Sequence, residues 1–322
     1  MNKTEILKVI KQEIPSVVFP SNIDFQIEDT ILYVTVDSRG VCNNMQDNSS
    51  AFEGWIFCIM NAIKNISEVI LRWENPLYSN SKDLNIKRRQ QRHYNRFLLR
   101  VIWFTDNYEW LKIEKNREDE IDKFRKKYSF LVINYPTTSS KDKNEVEEGD
   151  SKSKFEAILE TQLYHKLNEI LPNSANHQLP VGIFNNIKST ETAITPHGAS
   201  QIDLWQLEND VFRIFELKDT ENTQNKRVGI ISELMFYANV FNNIFLTKKI
   251  HYPEEIFHKR KYYRGFDLIV NALVKGKVKE IDAVFLSEEL HPLINSEIFK
   301  ALNNGKSKIR YSYLKVSELM KK

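Results

Sequence analysis

The chain has little cysteine, little glycine and no long apolar run, and each scarcity excludes something. Cys42 and Cys58 are the two cysteines, with no CxxC pair and no nearby histidine, so neither a zinc knuckle nor a disulfide framework is expected. Cys58 lies in an apolar run and reads as an inert buried thiol. Nine Gly and nine Pro in 322 residues exclude a collagen-like or linker-dominated chain. The longest apolar run, Trp55 to Met60, is far short of a membrane span, and Met1-Asn2-Lys3-Thr4-Glu5 has no signal-peptide character. A soluble cytoplasmic protein is the expectation. No GxxxxGK[ST] and no GxGxxG occurs, so nucleotide-driven translocation would need another subunit. The net charge of +3 permits a nucleic-acid partner without arguing for one.

What is present is the material of a globular protein. The chain is 41% hydrophobic and 28% charged, and 19 Phe, 13 Tyr and 5 Trp suffice for two packed cores, the domain number its length suggests. The clearest change of composition is Thr137 to Lys154, where Val146 stands alone among polar and charged residues. The expected organisation is an N-terminal α/β or α+β domain over 1–136, a polar linker over 137–154, and a second domain over 155–322. No internal repeat relates the two halves.

In the first half, helical spacing marks Glu5 to Ile14 and Ala51 to Ile66, and strands are expected at Ile31 to Val36, Val69 to Trp73 and Phe130 to Asn134. Asp83 to Arg100 is polar and basic, Val101 to Phe104 a short apolar run, and Glu118 to Lys127 a charged helix. The second half opens with a long helix, Lys154 to Leu171, whose leucines at 159, 163, 167 and 171 form one buried stripe. Strands at Gln201 to Leu207 and Val211 to Lys218 flank Glu208-Asn209-Asp210 and read as a hairpin. A strongly apolar helix, Gly229 to Ile244, and strands at Ile281 to Leu286 and Tyr311 to Val316 complete an α/β core.

The hairpin holds the arrangement that looks chemical. Residues two apart on a strand share a face, so Glu216 and Lys218 project together, and Asp203 reaches the same place from the neighbouring strand. Two carboxylates and an ammonium suit metal-assisted phosphodiester hydrolysis: hard oxygen ligands hold Mg²⁺ with open water positions, and an ammonium orients the water or steadies developing charge. Of 43 acidic residues, two precede a lysine by two positions, Asp150 in the polar segment and Glu216 after a strand-like run. Charges at the end of Val-Phe-Arg-Ile-Phe also break the pattern of a buried strand, as functional sites do.

Gln201-Ile202-Asp203-Leu204-Trp205 with Ile214-Phe215-Glu216-Leu217-Lys218 resembles the PD-(D/E)XK nuclease superfamily, in its restriction-endonuclease-like branch, over about Lys154 to Lys248. The resemblance implies an αβββαβ core in the C-terminal half and a Mg²⁺-dependent endonuclease, with Mn²⁺ able to substitute. It implies that Asp203 and Glu216 bind the metal and that Lys218 assists the attacking water. The helix glutamate of the family falls on Glu156 or Glu160, with Glu156 preferred because it opens the helix. Ile202 stands where the family often has Pro. The family's Gln-x-x-x-Tyr pair becomes Glu233-x-x-x-Tyr237, in a supporting role to Lys218 or a phosphate. DNA is the implied substrate, and restriction or phage defence the implied role.

Several other residues are candidates beside ordinary readings. Arg88, Arg92, Arg96 and Arg100 recur every four residues, which on a helix makes a basic stripe for phosphate, with Lys87 and Arg89 beside it; the plain alternative is a solvated face. Lys226 and Arg227 precede the apolar helix and could meet phosphates at its N-terminus. His197, just before the Asp203 strand, could approach substrate. Two rivals stand against the nuclease: a catalytically inactive nuclease fold that binds nucleic acid, and an interaction protein whose arginines take an acidic partner. A homodimer or a partner subunit is compatible with any of these.

Overall fold

The computed structural model describes residues 1–79, 83–137, 151–197, 200–218 and 228–322, with side chains from 157 onward in the helix that starts at Ser151. It is a mixed α/β protein. The chain opens with α1 (Lys3–Glu13), started by a capping box in which Asn2 accepts from the amides of Thr4 and Glu5 while Glu5 reaches back to the Asn2 amide. β1 (Ile23–Glu28), β2 (Ile31–Val36), α2 (Phe52–Ala62), β3 (Glu68–Trp73), α3 (Leu84–Asn107) and β4 (Leu111–Ile113) follow. The four strands form one sheet in chain order, with β1 and β2 antiparallel and the others parallel.

The basic stretch and the apolar run after it are a single helix, α3. Its first turns are exposed, and from Tyr94 onward most of it is buried, so one helix enters the core from solvent. α4 (Glu118–Lys127) leads to β5 (Leu131–Ile133).

The second half begins with α5 (Ser151–Ile170), which starts inside the segment read as linker. Then come β6 (Ala175–Pro180), β7 (Ile183–Asn185), β8 (Gln201–Glu208) and β9 (Val211–Leu217), and then α6 (Gly229–Phe245) and β10 (Ile250–His251). α7 (Phe266–Val274), β11 (Glu280–Leu286), α8 (Ser296–Asn303), β12 (Ile309–Leu314) and α9 (Val316–Lys321) end the chain. The main sheet has the order β12-β11-β9-β8-β6. β6, β8 and β9 are antiparallel neighbours, and β11 lies parallel to both β9 and β12. Asn209, in the left-handed region at φ 55°, closes the tight turn between β8 and β9.

Each face of this sheet is covered. Leu159, Leu163 and Leu167 of α5, three of the four leucines of the expected stripe, pack on Leu204, Phe215 and Leu217, while Leu171 lies beyond the helix end and outside this cluster. On the other face lies α6, every residue of which is buried. That face is continuous with the interior of the first half: Phe212 and Ile214 belong to the same apolar cluster as Trp55, Phe97 and Val34. Two glycines permit the close approach. A Cβ on Gly54 would collide with the Val228 carbonyl, and one on Gly229 with the Gln46 carbonyl. A three-stranded sheet, β10-β5-β7, also joins the halves. Among the described residues no helix is long and apolar enough to cross a membrane.

Candidate active site

The pairing of β8 with β9 runs to Leu204↔Phe215, and the next residues on the two strands are Asp203 and Glu216. Phe215 and Leu217 face α5, so Glu216 and Lys218 face α6 by strand alternation. Glu216 is 2% exposed and Asp203 is half-buried. Lys218 Nζ donates to Glu216 Oε1 and, at 3.1 Å, to Glu233 Oε2 on α6. The Leu217 amide donates to Asp203 Oδ2 at 2.9 Å. The structure thus brings Asp203, Glu216, Lys218 and Glu233 into one cluster.

Glu233 is held from three directions. Tyr237 Oη, one helical turn on, donates to Glu233 Oε1 at 3.0 Å, and the same oxygen accepts from Gln46 Nε2. Spacing on the helix announced the pair of Glu233 and Tyr237. Gln46 belongs to the other half of the chain, in a stretch of Asn, Asp and Ser that carries no motif, and sequence reasoning missed it. Glu233 meets the Lys218 ammonium, so its charge is compensated within the cluster.

The charges of the cluster do not balance. Three carboxylates surround one ammonium, and burial makes the excess expensive. Burial, and after it the Glu233 carboxylate, push Glu216 well above the usual carboxylate range. Burial lifts Asp203 to about 7 against the pull of Lys218, with Glu233 and Glu160 adding to the rise. Burial would lower Lys218, but Glu216, Glu233 and Asp203 outweigh it and hold the ammonium well above its ordinary value. Burial would raise Glu233, yet Lys218, a hydrogen bond shared with Glu216 and the Gln46 hydrogen bond keep it below its ordinary value.

Glu216 Oε2 is buried and has no hydrogen-bond partner among the described residues. Burial favours protons on Glu216 and Asp203, and a divalent cation beside the unpartnered Glu216 oxygen would take the place of those protons. Mg²⁺ commonly takes only one or two protein carboxylates and keeps its waters. Among the described residues no three His, Cys, Asp or Glu converge as metal ligands, so the fit rests on Asp203 and Glu216.

Of the two helix glutamates, Glu156 has its side chain outside the described residues. Glu160 is buried; its Oε1 lies 2.8 Å from His177 Nδ1 and its Oε2 accepts from Gln178 at 3.5 Å. It borders the cluster and is not joined to it by a hydrogen bond. Lys226 and Arg227 also lie outside the described residues.

The arginine stripe is real as a helix face and divided in environment. Arg88 is exposed, Arg92 half-buried, and Arg96 and Arg100 are 4% and 3% exposed. Arg100 is no phosphate ligand. Its Nε donates to Glu53 Oε1 at 2.7 Å, its Nη2 bonds Glu53 Oε2 and the Ser50 carbonyl, and Ser232 Oγ also donates to Glu53. Arg92, Arg96 and His197 line a common cavity that Gln46 and Tyr237 also line.

Comparison with protein-family models, with curated proteins and with solved structures finds no match to this chain.

Proposed function

We propose that the protein is a Mg²⁺-dependent nuclease of the PD-(D/E)XK kind, hydrolysing phosphodiester bonds of nucleic acid, with DNA the substrate the resemblance favours and restriction or phage defence its role. The observation that carries the reading is the lone buried Glu216 Oε2 beside Asp203 and Lys218. The order α5-β6-β8-β9-α6-β11, with β11 parallel to β9, runs as αβββαβ and supports it.

Asp203 and Glu216 are the residues that would hold Mg²⁺, or Mn²⁺ in its place; when bound, such an ion polarises a phosphoryl oxygen and acidifies water. Lys218 stays protonated, donates a hydrogen bond to an attacking water and steadies negative charge as it develops on phosphate. Glu233 fixes the Lys218 ammonium, and Gln46 and Tyr237 fix Glu233. Glu216 and Glu233 are buried, which limits the access of bulk water to them.

The test is cutting of supercoiled plasmid and single-stranded circular DNA with Mg²⁺ or Mn²⁺ by the wild type, Glu216→Gln and Lys218→Ala. Cutting by the wild type alone, with all three folded, supports the reading. A second reading, a nuclease fold that binds without cutting, is favoured by the double ion pair that occupies Lys218. Calorimetry with Mn²⁺ separates them: no cutting and no metal binding in the wild type would overturn the nuclease.

A further inference from the structure

α3 carries two arginines one turn apart that are equally buried and oppositely treated. Arg100 is neutralised by Glu53. Arg96 has no carboxylate within ion-pair distance among the described residues. Its Nη2 donates to Asn44 Oδ1 at 2.8 Å and to His93 Nδ1 at 3.0 Å, both neutral acceptors. Burial, then Arg96 and Arg89 nearby, lower His93 to about 3, so the imidazole accepts and adds no charge. Burial lowers Arg96 to about 10, which leaves it charged at neutral pH. Its direct hydrogen-bond partners are neutral, and the carboxylates that act on it, Glu233 and Asp47, do so without an ion pair, which leaves the guanidinium able to take an anion.

Arg96 is part of the wall of a cavity of about 990 Å³. Arg89 and Arg92 line the same space, and among the described residues Asp47 is the one acidic residue in its lining, so the charge of that lining is positive. Asn43, Asn44 and Gln90 line it too. Gln46 and Tyr237 line it and also donate to Glu233, which places the cavity one hydrogen bond from the residue that holds Lys218. An equidimensional space of this volume is about 10 Å on an edge, at the upper end of small-ligand sites. A space of that volume is enough for an unpaired nucleotide with its phosphate.

We propose that this cavity seats an unpaired nucleotide, with Arg96 and Arg92 on its phosphates and the lining amides on its base edge, so that nucleic acid reaches the Lys218 cluster as a single strand. This rests on the nuclease reading, for which it names the form of the substrate. Arginine reads phosphate as a planar, bidentate donor, and Asn and Gln amides pair with base edges. The first half of the chain thereby supplies the arginines of the pocket, and the second half the reacting groups.

The experiment is fluorescence anisotropy of a labelled single-stranded oligonucleotide and of the same sequence as duplex, in EDTA across a salt series. Wild type, Arg96→Gln and Arg92→Gln are compared after their melting curves. The single strand is expected to bind about tenfold tighter than the duplex, with each variant losing about tenfold in affinity and about one unit of salt slope. Equal affinity for the two forms, or undiminished binding by the folded variants, overturns the pocket. If Arg96→Gln fails to fold, Arg92→Gln, at a half-buried position, decides alone. The metal-free readout keeps the two proposals apart. A wild type that selects single strands but never cuts them retains the pocket and loses the nuclease. A wild type that cuts while Arg92→Gln binds and cuts equally well loses the pocket only.

Discussion

Gln46 and Glu233 are 187 residues apart in the chain, and the side-chain amide of the first donates to the carboxylate of the second. This contact ties the loop before α2 to the helix that anchors Lys218. It makes the state of the cluster depend on residues outside the hairpin that carries the chemistry.

Gln46→Ala is accordingly expected to lower kcat of DNA cleavage about tenfold by loosening Glu233 and Lys218, while the fold loses about 1 kcal/mol, the worth of one hydrogen bond. Gln46→Glu should be worse, because it sets a further carboxylate against Glu233. Single-turnover cleavage and urea unfolding of each variant check this; a wild-type rate in folded Gln46→Ala would remove Gln46 from the cluster's support.

Asp203 gives the protein a pH dependence of definite sign. Its carboxyl is raised from 3.8 to about 7, so the folded state retains a proton that the unfolded state releases. Its contribution to stability is full below about pH 4 and is lost as pH rises towards 7. Asp203→Asn should flatten that part of the stability profile and be the more stable protein at pH 8. Mn²⁺ affinity should run the other way, tightening as pH rises through about 7 and the competing proton leaves. Urea unfolding at several pH values and Mn²⁺ calorimetry at pH 6 and 8 measure the two effects; a flat wild-type profile in both would refute the shift.

Glu53 and Arg100 form a buried pair that holds α2, α3 and α6 together through Ser50 and Ser232. Glu53→Leu or Arg100→Met alone should cost about 3–5 kcal/mol, since each strands a buried group, and the two together should recover much of it. A double-mutant cycle by denaturant unfolding reads the coupling. Additive losses would show that the pair acts as two independent side chains.

Gly229→Ala tests the contact between the halves. The added methyl meets the Gln46 carbonyl, so a loss of about 1–3 kcal/mol is expected, as for overpacking in a core. Cleavage should fall with it, because the same backbone carries Gln46. An unchanged melting temperature would mean that the two backbones separate freely.

The hairpin was legible because its signals are local. A strand period of two fixes which of Asp203, Glu216 and Lys218 share a face, and Asn209 marks the turn between them. α5 and α6 were legible from leucine spacing and from an apolar run too long for a strand. β6 was not, since Ala-Asn-His-Gln-Leu-Pro has low strand propensity; it forms at the edge of the sheet, where Pro180 is tolerated and Gln178 takes a positive φ. The arginine stripe was legible as periodicity but not as chemistry. Whether Arg96 or Arg100 is neutralised depends on where Glu53 sits, forty-odd residues away, and no spacing rule carries that. Gln46 is the same case at longer range.

β5 is made by residues that precede the polar stretch at 137–154, yet it lies between β10 and β7, which follow that stretch. Leu131 and Ile133 sink into an interior that both halves build. The halves are therefore not interchangeable cassettes that recombination could graft onto other partners. A gene divided at the polar stretch would encode two fragments, each exposing apolar surface and an open strand edge meant for the other, competent only when made together.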